Sequence, residues 1–508
     1  MRRPVRGSRT LFALVLIAAG PAAHPEPVGP PRPAEEAIVD GLRALHQGLY
    51  ARADEAFLRA ARAAPGDPEP LLFRAYGFYW RILEDPKVED QDGAFRSATE
   101  ICLAAAEARL EAAPGDARAG GAAGMAHILR SHVEALRRSY FRAGQEARRG
   151  KKLLEQALED DPGLTDALFP LGTYNYFADK VPALVKGLRV FLFLPGGDAE
   201  QGLGQLRAVA TSGSRLRTDA RMVLAAICGS REERCYRGAI GHLESALRDN
   251  PGSPMILGWL GGLQVRLGRY DEAARSFEEA LRAATGVDPD RVRERRRLGL
   301  YLAEALAADW RLDHAEAALR AAKQEAGPLP DSDRRLLGRV EGEIAAKRGA
   351  GLLAQDPGTP DGNEGPPDGA PAASTARPAA VPEALARALT VQEERGPAEA
   401  LPAFKELAGA RPHAALPRFL LGRALFLGGR YGEAEAELAA ALDLTEGPPA
   451  WMEGWAELYR GMALERLGDA RRARTHLHRA GDIKRFRSAE RALLELERDE
   501  PPQIACGP

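Results

Sequence analysis

A recurring pattern of small and aromatic residues constrains the fold of this chain more than any other feature. Three segments carry a glycine, an aromatic residue two positions later, and then alanine, a large apolar residue and alanine at identical offsets. These segments start at Gly48, Gly268 and Gly429. Another glycine lies seven positions before each start, at Gly41, Gly261 and Gly422. The second half of the pattern begins at Tyr236 and recurs at Tyr270. The pattern thus recurs after 34 residues, and a period of this length predicts stacked copies of one small unit.

Each residue type has a physical reason to stand at its position. A glycine or alanine fits where two helices cross closely, and an aromatic side chain fills the space between neighbouring pairs of helices. A proline, such as Pro251, ends a helix because it lacks the backbone N–H. We expect tryptophan at Gly261 to unfold its block of repeats by overpacking.

The spacing resembles that of the tetratricopeptide repeat, a family of helix–turn–helix units of about 34 residues. The resemblance implies an all-α fold, an α-solenoid of about ten such units, which stack because one pair of helices cannot bury its apolar face alone. It also implies that alanine is tolerated at Gly261 and Gly422, because other members of the family have alanine there. We predict a first block of repeats over 37–348 and a second over 382–498. Residues 349–381 between them are rich in Pro, Gly and Ala and poor in large apolar residues, which predicts a disordered, flexible linker.

Residues 1–22 have the order of a secretory signal peptide. A basic start with Arg2 and Arg3 precedes an apolar run over 11–19 and small residues near Ala22. The run is shorter than the roughly 20 residues of a spanning helix. We therefore expect a periplasmic or secreted protein exported by the general secretory (Sec) route, with an uncleaved anchor as the alternative. No cysteine follows the run, so a lipoprotein is not expected. Residues 23–36 are predicted to be a flexible segment and 499–508 a tail.

An insert interrupts the repeat spacing near 176–197. It adds about 18 residues to the unit and contains two apolar runs, 181–185 and 190–194, separated by Lys186 and Arg189. These charges argue against a transmembrane helix. Three placements stay open, namely packing on the solenoid, contact with a partner, and an amphipathic segment on a membrane surface.

The resemblance also implies where a partner would bind. In the family the first helix of each pair forms the inner face of the superhelix, and residues there grip a peptide or protein surface. The corresponding residues of the fourth and ninth units are Asp166, Phe169, Thr173, Tyr176, Leu416, Phe419, Arg423 and Phe426. They lack the Lys/Asn pattern of the family members that clamp a terminal carboxylate. The alternative is that several of these side chains pack inside the solenoid.

Motifs for catalysis, cofactors or metals are absent from the sequence. It has no P-loop, dinucleotide fingerprint, His-Glu-x-x-His or Gly-x-Ser-x-Gly pattern, so we predict no enzyme, no cofactor and no metal. A formal net charge of −2 argues against a nucleic-acid partner. Cys228 and Cys235 are close in sequence, and in an oxidising compartment they could form a local disulfide or stay two isolated thiols.

These observations predict a non-catalytic protein–protein interaction scaffold of the bacterial cell envelope. It would bind a protein or peptide on the concave face of the superhelix. The alternative is a peripheral membrane protein that uses the 176–194 insert or the basic C-terminal helices, where seven Arg and Lys residues cluster over 471–487. The sequence does not predict the oligomeric state.

Overall fold

A computed structural model describes residues 33–180, 196–230, 233–286, 289–327, 329–348, 383–410, 412–444, 450–483 and 487–496. The predicted signal peptide, linker and tail, and residues 181–195 of the predicted insert, lie outside these ranges. Within them every regular element is helical, which confirms the predicted all-α fold. The first helix begins at Pro33, inside the segment that we predicted to be flexible.

The helices of the first seven pairs follow one another along the chain, and a short 3-10 turn, Thr165–Ala167, precedes the seventh helix. They are α1 Pro33–His46, α2 Tyr50–Ala63, α3 Pro68–Glu84, α4 Asp92–Ala112, α5 Ala117–Leu136, α6 Tyr140–Asp160, α7 Leu168–Asp179, α8 Ala199–Ser212, α9 Arg217–Cys228, α10 Tyr236–Asp249, α11 Pro254–Arg266, α12 Tyr270–Ala283, α13 Pro289–Ala308 and α14 Leu312–Gln324.

One additional helix, α15 Asp331–Arg348, separates these pairs from three more. The remaining helices are α16 Glu383–Arg395, α17 Pro397–Ala410, α18 Ala415–Leu427, α19 Tyr431–Leu442, α20 Ala450–Arg466, α21 Ala470–Asp482 and α22 Arg487–Leu496. The odd- and even-numbered helices from α1 to α14 form pairs 1 to 7, and α16 to α21 form pairs 8 to 10. The described residues thus hold ten pairs, in agreement with the predicted number of repeats.

Glycines of the repeat pattern make the turn between the two helices of a pair. Gly48, Gly268 and Gly429 have φ angles of 75°, 66° and 77°. This left-handed conformation costs glycine little because it has no Cβ, and it commonly ends a helix. The recurring glycine therefore specifies a sharp reversal after each first helix.

The glycines seven positions earlier mark the crossing of the two helices. A Cβ atom added to Gly41, Gly261, Gly422 or Gly461 would lie 2.3 to 2.8 Å from the side chain sixteen positions later. At Gly261 that neighbour is the fully buried ring of Phe277. Even alanine there would force the ring to move, contrary to our expectation that alanine is tolerated.

The hydrophobic core continues across the two predicted blocks. One cluster of buried residues runs from Leu257 in α11 to Ala492 in α22. Helix α16 takes the next position beside α14, where Glu393 accepts a hydrogen bond from the backbone N–H of Asp313 (3.1 Å). Helix α15 packs mainly on α13 and buries Val340. The two blocks, separated by the predicted linker in sequence, are continuous in space.

Pair 1 also touches pairs much later in the chain. Asp219 of α9 is fully buried and accepts hydrogen bonds from His46 Nε2 (3.0 Å) and from the Tyr76 hydroxyl (2.7 Å). Ser253 donates to the His46 carbonyl (2.5 Å), and Arg291 donates to the Gln47 carbonyl (2.7 Å). The superhelix is therefore wound so tightly that pair 1 reaches pairs 5, 6 and 7.

His132, a half-buried residue of α5, predicts a pH dependence of stability. Burial lowers its pKa from the ordinary 6.5 to about 4. At a pH between these two pKa values, the unfolded chain binds a proton that the folded chain does not. The free energy of unfolding therefore decreases as the pH falls. We expect a loss on the order of 2 kcal/mol, measured by urea unfolding across this range. In a His132→Asn variant, the free energy of unfolding should lose this part of its pH dependence. An unchanged pH dependence would contradict the assignment of the effect to His132.

Candidate functional site

A cavity of about 320 Å³ lies where pair 1 meets the first helices α3, α11 and α13. We call it the aromatic pocket. Its apolar walls are formed by Trp80, Leu83, Met255, Trp259, Leu298 and Tyr301. Because α3, α11 and α13 are all first helices of their pairs, the pocket lies on the face that the family resemblance predicts for partner binding. Its volume is in the range of small-molecule and side-chain binding sites.

Large apolar side chains are left exposed inside this concavity. Trp259 is 40% exposed and Leu83 is 38% exposed, whereas Trp80 beneath them is buried. The ring centroids of Trp80 and Trp259 are 6.1 Å apart, at an interplanar angle of 56°. Isolated exposed apolar residues are common on proteins, but two of them facing one cavity indicate a surface that another molecule can cover.

Charged side chains on the rim are held in pairs. Glu84 accepts a hydrogen bond from the Tyr50 hydroxyl (2.9 Å) and lies 3.9 Å from Arg297. Asp290 pairs with Arg293 at 2.7 Å. Burial, and after it the Glu84 carboxylate, raises the pKa of Tyr50, so its hydroxyl stays a donor at neutral pH. The rim thus offers donors and acceptors of both signs around an apolar centre.

The lining of the aromatic pocket is suited to binding a side chain. Its walls combine aromatic rings with paired charges, an arrangement that suits a bulky apolar side chain entering from a polar segment. Among the described residues, no group of three His, Cys, Asp or Glu side chains is placed to hold a metal ion. None of the helices in the described ranges is both long and apolar enough to cross a bilayer.

The four residues predicted in the fourth pair are used largely inside the protein. Asp166 accepts hydrogen bonds from Ser214 Oγ (2.7 Å) and from the N–H groups of Arg215 and Leu216, next to the start of α9. Phe169 packs edge-on against Tyr76. Thr173 donates to the Pro170 carbonyl, and Tyr176 donates to Glu233, as two further buried side chains.

Three residues predicted in the ninth pair also lie against other parts of the chain. Phe419 and Arg423 are buried. Arg423 Nη2 donates to the Asp309 carboxylate (2.5 Å), and its Nε donates to the Tyr459 hydroxyl (3.3 Å). Phe426 is half-buried against Tyr459.

Leu416, the remaining predicted residue of this pair, packs at the edge of the core. The burial of several members of the predicted set matches the packing that we gave as the alternative, and their role in partner binding stays a prediction.

Cys228 and Cys235 lie at the two ends of the turn between α9 and α10. The backbone N–H of Cys235 donates to the carbonyl of Cys228 at 2.8 Å. Cys228 is fully buried, and Cys235 is half-buried in the same small cluster. Their pairing stays a prediction.

Sequence reasoning missed the aromatic pocket. Trp80 and Trp259 belong to pairs 2 and 6, and nothing in the local sequence of either pair indicates the other. The pocket exists because the superhelix brings pair 1 onto α13, through contacts such as the hydrogen bond from the Ala51 N–H to Asp290 (3.1 Å).

Comparisons with known proteins found one family model and several solved structures. The family model of the tetratricopeptide repeat matches residues 231–289 and 385–450, which contain Gly268 and Gly429. No curated protein matches the sequence. Among solved structures, yeast Tom70 is similar at 11% identity, covering 92% of this chain and 95% of Tom70 with a TM-score of 0.28. The human IFIT1 dimer is similar at 14% identity, covering 91% of this chain and 82% of IFIT1 with a TM-score of 0.27. TM-scores this low carry no argument about the fold or the site.

Proposed function

We propose that this chain, whose residues 231–289 and 385–450 match the tetratricopeptide repeat, a family of interaction scaffolds that are generally non-catalytic, holds a protein or peptide partner in the aromatic pocket. The partner would be a polar segment that carries one large apolar side chain, such as Leu, Met or Phe. That side chain would cover Trp259 and Leu83, while the rim charges would hydrogen-bond to the flanking backbone.

One observation carries this proposal, namely that Trp259 stands 40% exposed inside a concavity beside the buried Trp80. Tryptophan is among the residues that dominate binding energies at interfaces, because its large flat ring loses little conformational entropy when it is covered. The paired rim charges exclude a strongly charged anchor, since either sign would meet a like charge.

The proposed location is the bacterial cell envelope, outside the cytoplasm. The basic, apolar and small-residue order of residues 1–22 supports it. In this compartment the scaffold would bind another envelope protein. The alternative of attachment to a membrane through 176–194 or the basic C-terminal helices stays a prediction.

The experiment that tests the proposal is in-cell crosslinking of the tagged full chain, followed by mass spectrometry of the envelope fraction. We expect a recurrent protein crosslinked near Trp259. Trp259→Ala should weaken its binding by about 30-fold, the loss expected for a residue that contributes roughly 2 kcal/mol.

Leu427→Ala is the matched control, since Leu427 is similarly exposed, at 46%, and lies outside the pocket. Equal recovery of the partner with Trp259→Ala and with Leu427→Ala would show that the pocket is not the binding site.

A further inference from the structure

The turn between α9 and α10 holds two cysteines close together. The backbone N–H of Cys235 donates to the carbonyl oxygen of Cys228 at 2.8 Å. With ordinary bond lengths on either side of this hydrogen bond, the two Cα atoms are at most about 6.7 Å apart. The Cα atoms of disulfide-bonded cysteines are usually about 4.4 to 6.8 Å apart. The backbone of the turn therefore already holds both residues within the span of a disulfide.

The side chains of the two cysteines lie in the same small cluster. Cys228 and Ala239 are its fully buried members, and Cys235 and Leu263 pack against it. Two cysteines whose Cβ atoms face apart cannot be bridged without movement of the backbone. Because both side chains contact one cluster, they lie on the same side of the turn, and a bond between their sulfur atoms needs little rearrangement.

The two cysteines differ in their access from outside. Cys228 is the last residue of α9 and is fully buried, whereas Cys235 is half-buried. Cys235 also directly precedes α10, and the backbone N–H groups at the start of a helix favour the reactive thiolate. The nearby Glu233 carboxylate opposes this effect, but it is paired with Lys180 at 2.7 Å. A disulfide reagent therefore reaches Cys235 first.

We propose that Cys228 and Cys235 form a disulfide by exchange with an oxidised dithiol oxidoreductase, and that Cys235 reacts first. Its thiolate attacks one sulfur of the oxidoreductase's disulfide, which forms a mixed disulfide and releases the other sulfur as a thiolate. Cys228, once deprotonated, attacks the Cys235 sulfur and displaces the oxidoreductase. The oxidoreductase takes up the two electrons and the two thiol protons and leaves as a dithiol. Disulfides form and persist in oxidising compartments such as the proposed location in the envelope.

The disulfide would close an eight-residue loop, 228–235, that also supports the end of α7. Glu233 in this loop accepts a hydrogen bond from the Tyr176 hydroxyl (2.9 Å) and pairs with Lys180, the residue after α7. Closing a loop restricts the conformations of the unfolded chain and thereby stabilises the folded state. The disulfide would therefore restrain the turn that holds the end of α7 in place.

The test is oxidation of the purified, reduced full chain with glutathione disulfide, followed by alkylation of the remaining thiols. Trypsin cuts after arginine, so Cys228 and Cys235 end in separate peptides, 222–231 and 235–237. We expect most of the chain to yield these two peptides joined by a disulfide, and mass spectrometry detects the joined mass. Reductant added before the digestion should separate the two peptides.

Two single variants test the order of reaction. Cys228→Ala should accumulate a glutathione adduct on Cys235, because no second thiol is there to displace it. Cys235→Ala should carry at least about 10-fold less adduct on Cys228, since exchange depends on access to the thiol. Cys102→Ala is the matched control. Cys102 is fully buried, and burial raises the pKa of its thiol to about 12, so this variant should form the same joined peptides as the parent.

Three results would overturn the proposal. They are a parent chain without the joined peptides, a bond from either cysteine to peptide 499–508, which carries Cys506, and equal adducts on Cys228 and Cys235 in the two variants. The experiment uses the purified chain and involves neither Trp259 nor export. Its outcome is therefore independent of the proposed partner and of the proposed location.

Discussion

Replacing Gly261 by tryptophan is expected to unfold the repeats around it. A Cβ atom at this position would already lie 2.6 Å from Cε1 of Phe277, and the indole ring would add nine more heavy atoms to a crossing without free space. Overpacking a close-packed interior typically costs about 1 to 3 kcal/mol for much smaller additions. We expect a loss of more than about 3 kcal/mol, a large part of the stability of an ordinary domain. Thermal unfolding followed by circular dichroism measures it.

Gly241→Trp is the control for this change. Gly241 also lies in a helix, but a Cβ atom there meets nothing within 4 Å. It should therefore unfold close to the parent temperature. If Gly261→Trp unfolds like this control, the assignment of Gly261 to the helix crossing, and with it the register of the repeats, is wrong.

The second large effect is expected for Arg423→Met. The guanidinium lies in the interior, where it bonds to the Asp309 carboxylate (2.5 Å) and to the Asp309 carbonyl (3.1 Å). Burial raises the pKa of Asp309, and Arg423 opposes that rise. Removing Arg423 leaves the half-buried Asp309 carboxylate without its hydrogen-bonded cation, and loss of one partner of a buried pair typically costs about 3 to 5 kcal/mol. Urea unfolding at neutral pH measures the loss.

Two further variants make the Arg423 result interpretable. Arg430→Met removes an arginine whose pair with Glu433 is exposed, so it should cost less than about 1 kcal/mol. The double variant Arg423→Met, Asp309→Leu should recover part of the loss, because the carboxylate that lost its partner is also removed. Parent-like stability of Arg423→Met would mean that the side chain is dispensable for folding, and would favour the predicted role of Arg423 in partner binding.

The repeat pattern was sufficient to predict the fold because its determinants are local. The turn at Gly268 and the crossing of Gly261 with Phe277 lie within a single helix–turn–helix unit. Local geometry of this kind is encoded by residues close in sequence. Pairing and stacking follow from it, since each pair must cover its apolar face with the next.

The candidate site depends on contacts between pairs of helices that are far apart in sequence, and the repeat pattern does not predict these contacts. The small twist between successive pairs accumulates until Gln47 meets Arg291, and no single residue sets that twist. The first-helix residues Phe419 and Arg423 were chosen for their register, but contacts with Tyr459 and Asp309 bury them. Only the structure of all the pairs together shows which residues of the inner face, such as Trp259, stay exposed to solvent.

The contacts between pair 1 and pairs 5 to 7 also affect the order in which the protein can fold. Solenoids usually fold from any point outward, because each unit depends on its neighbours alone. Here the carbonyl groups of His46 and Gln47 receive their hydrogen bonds from Ser253 and Arg291, which stand far later in the sequence. The earliest helices to be synthesised therefore complete their contacts only after most of the first block exists. Such long-range closure slows folding and lengthens the time for which apolar surface stays exposed to other chains.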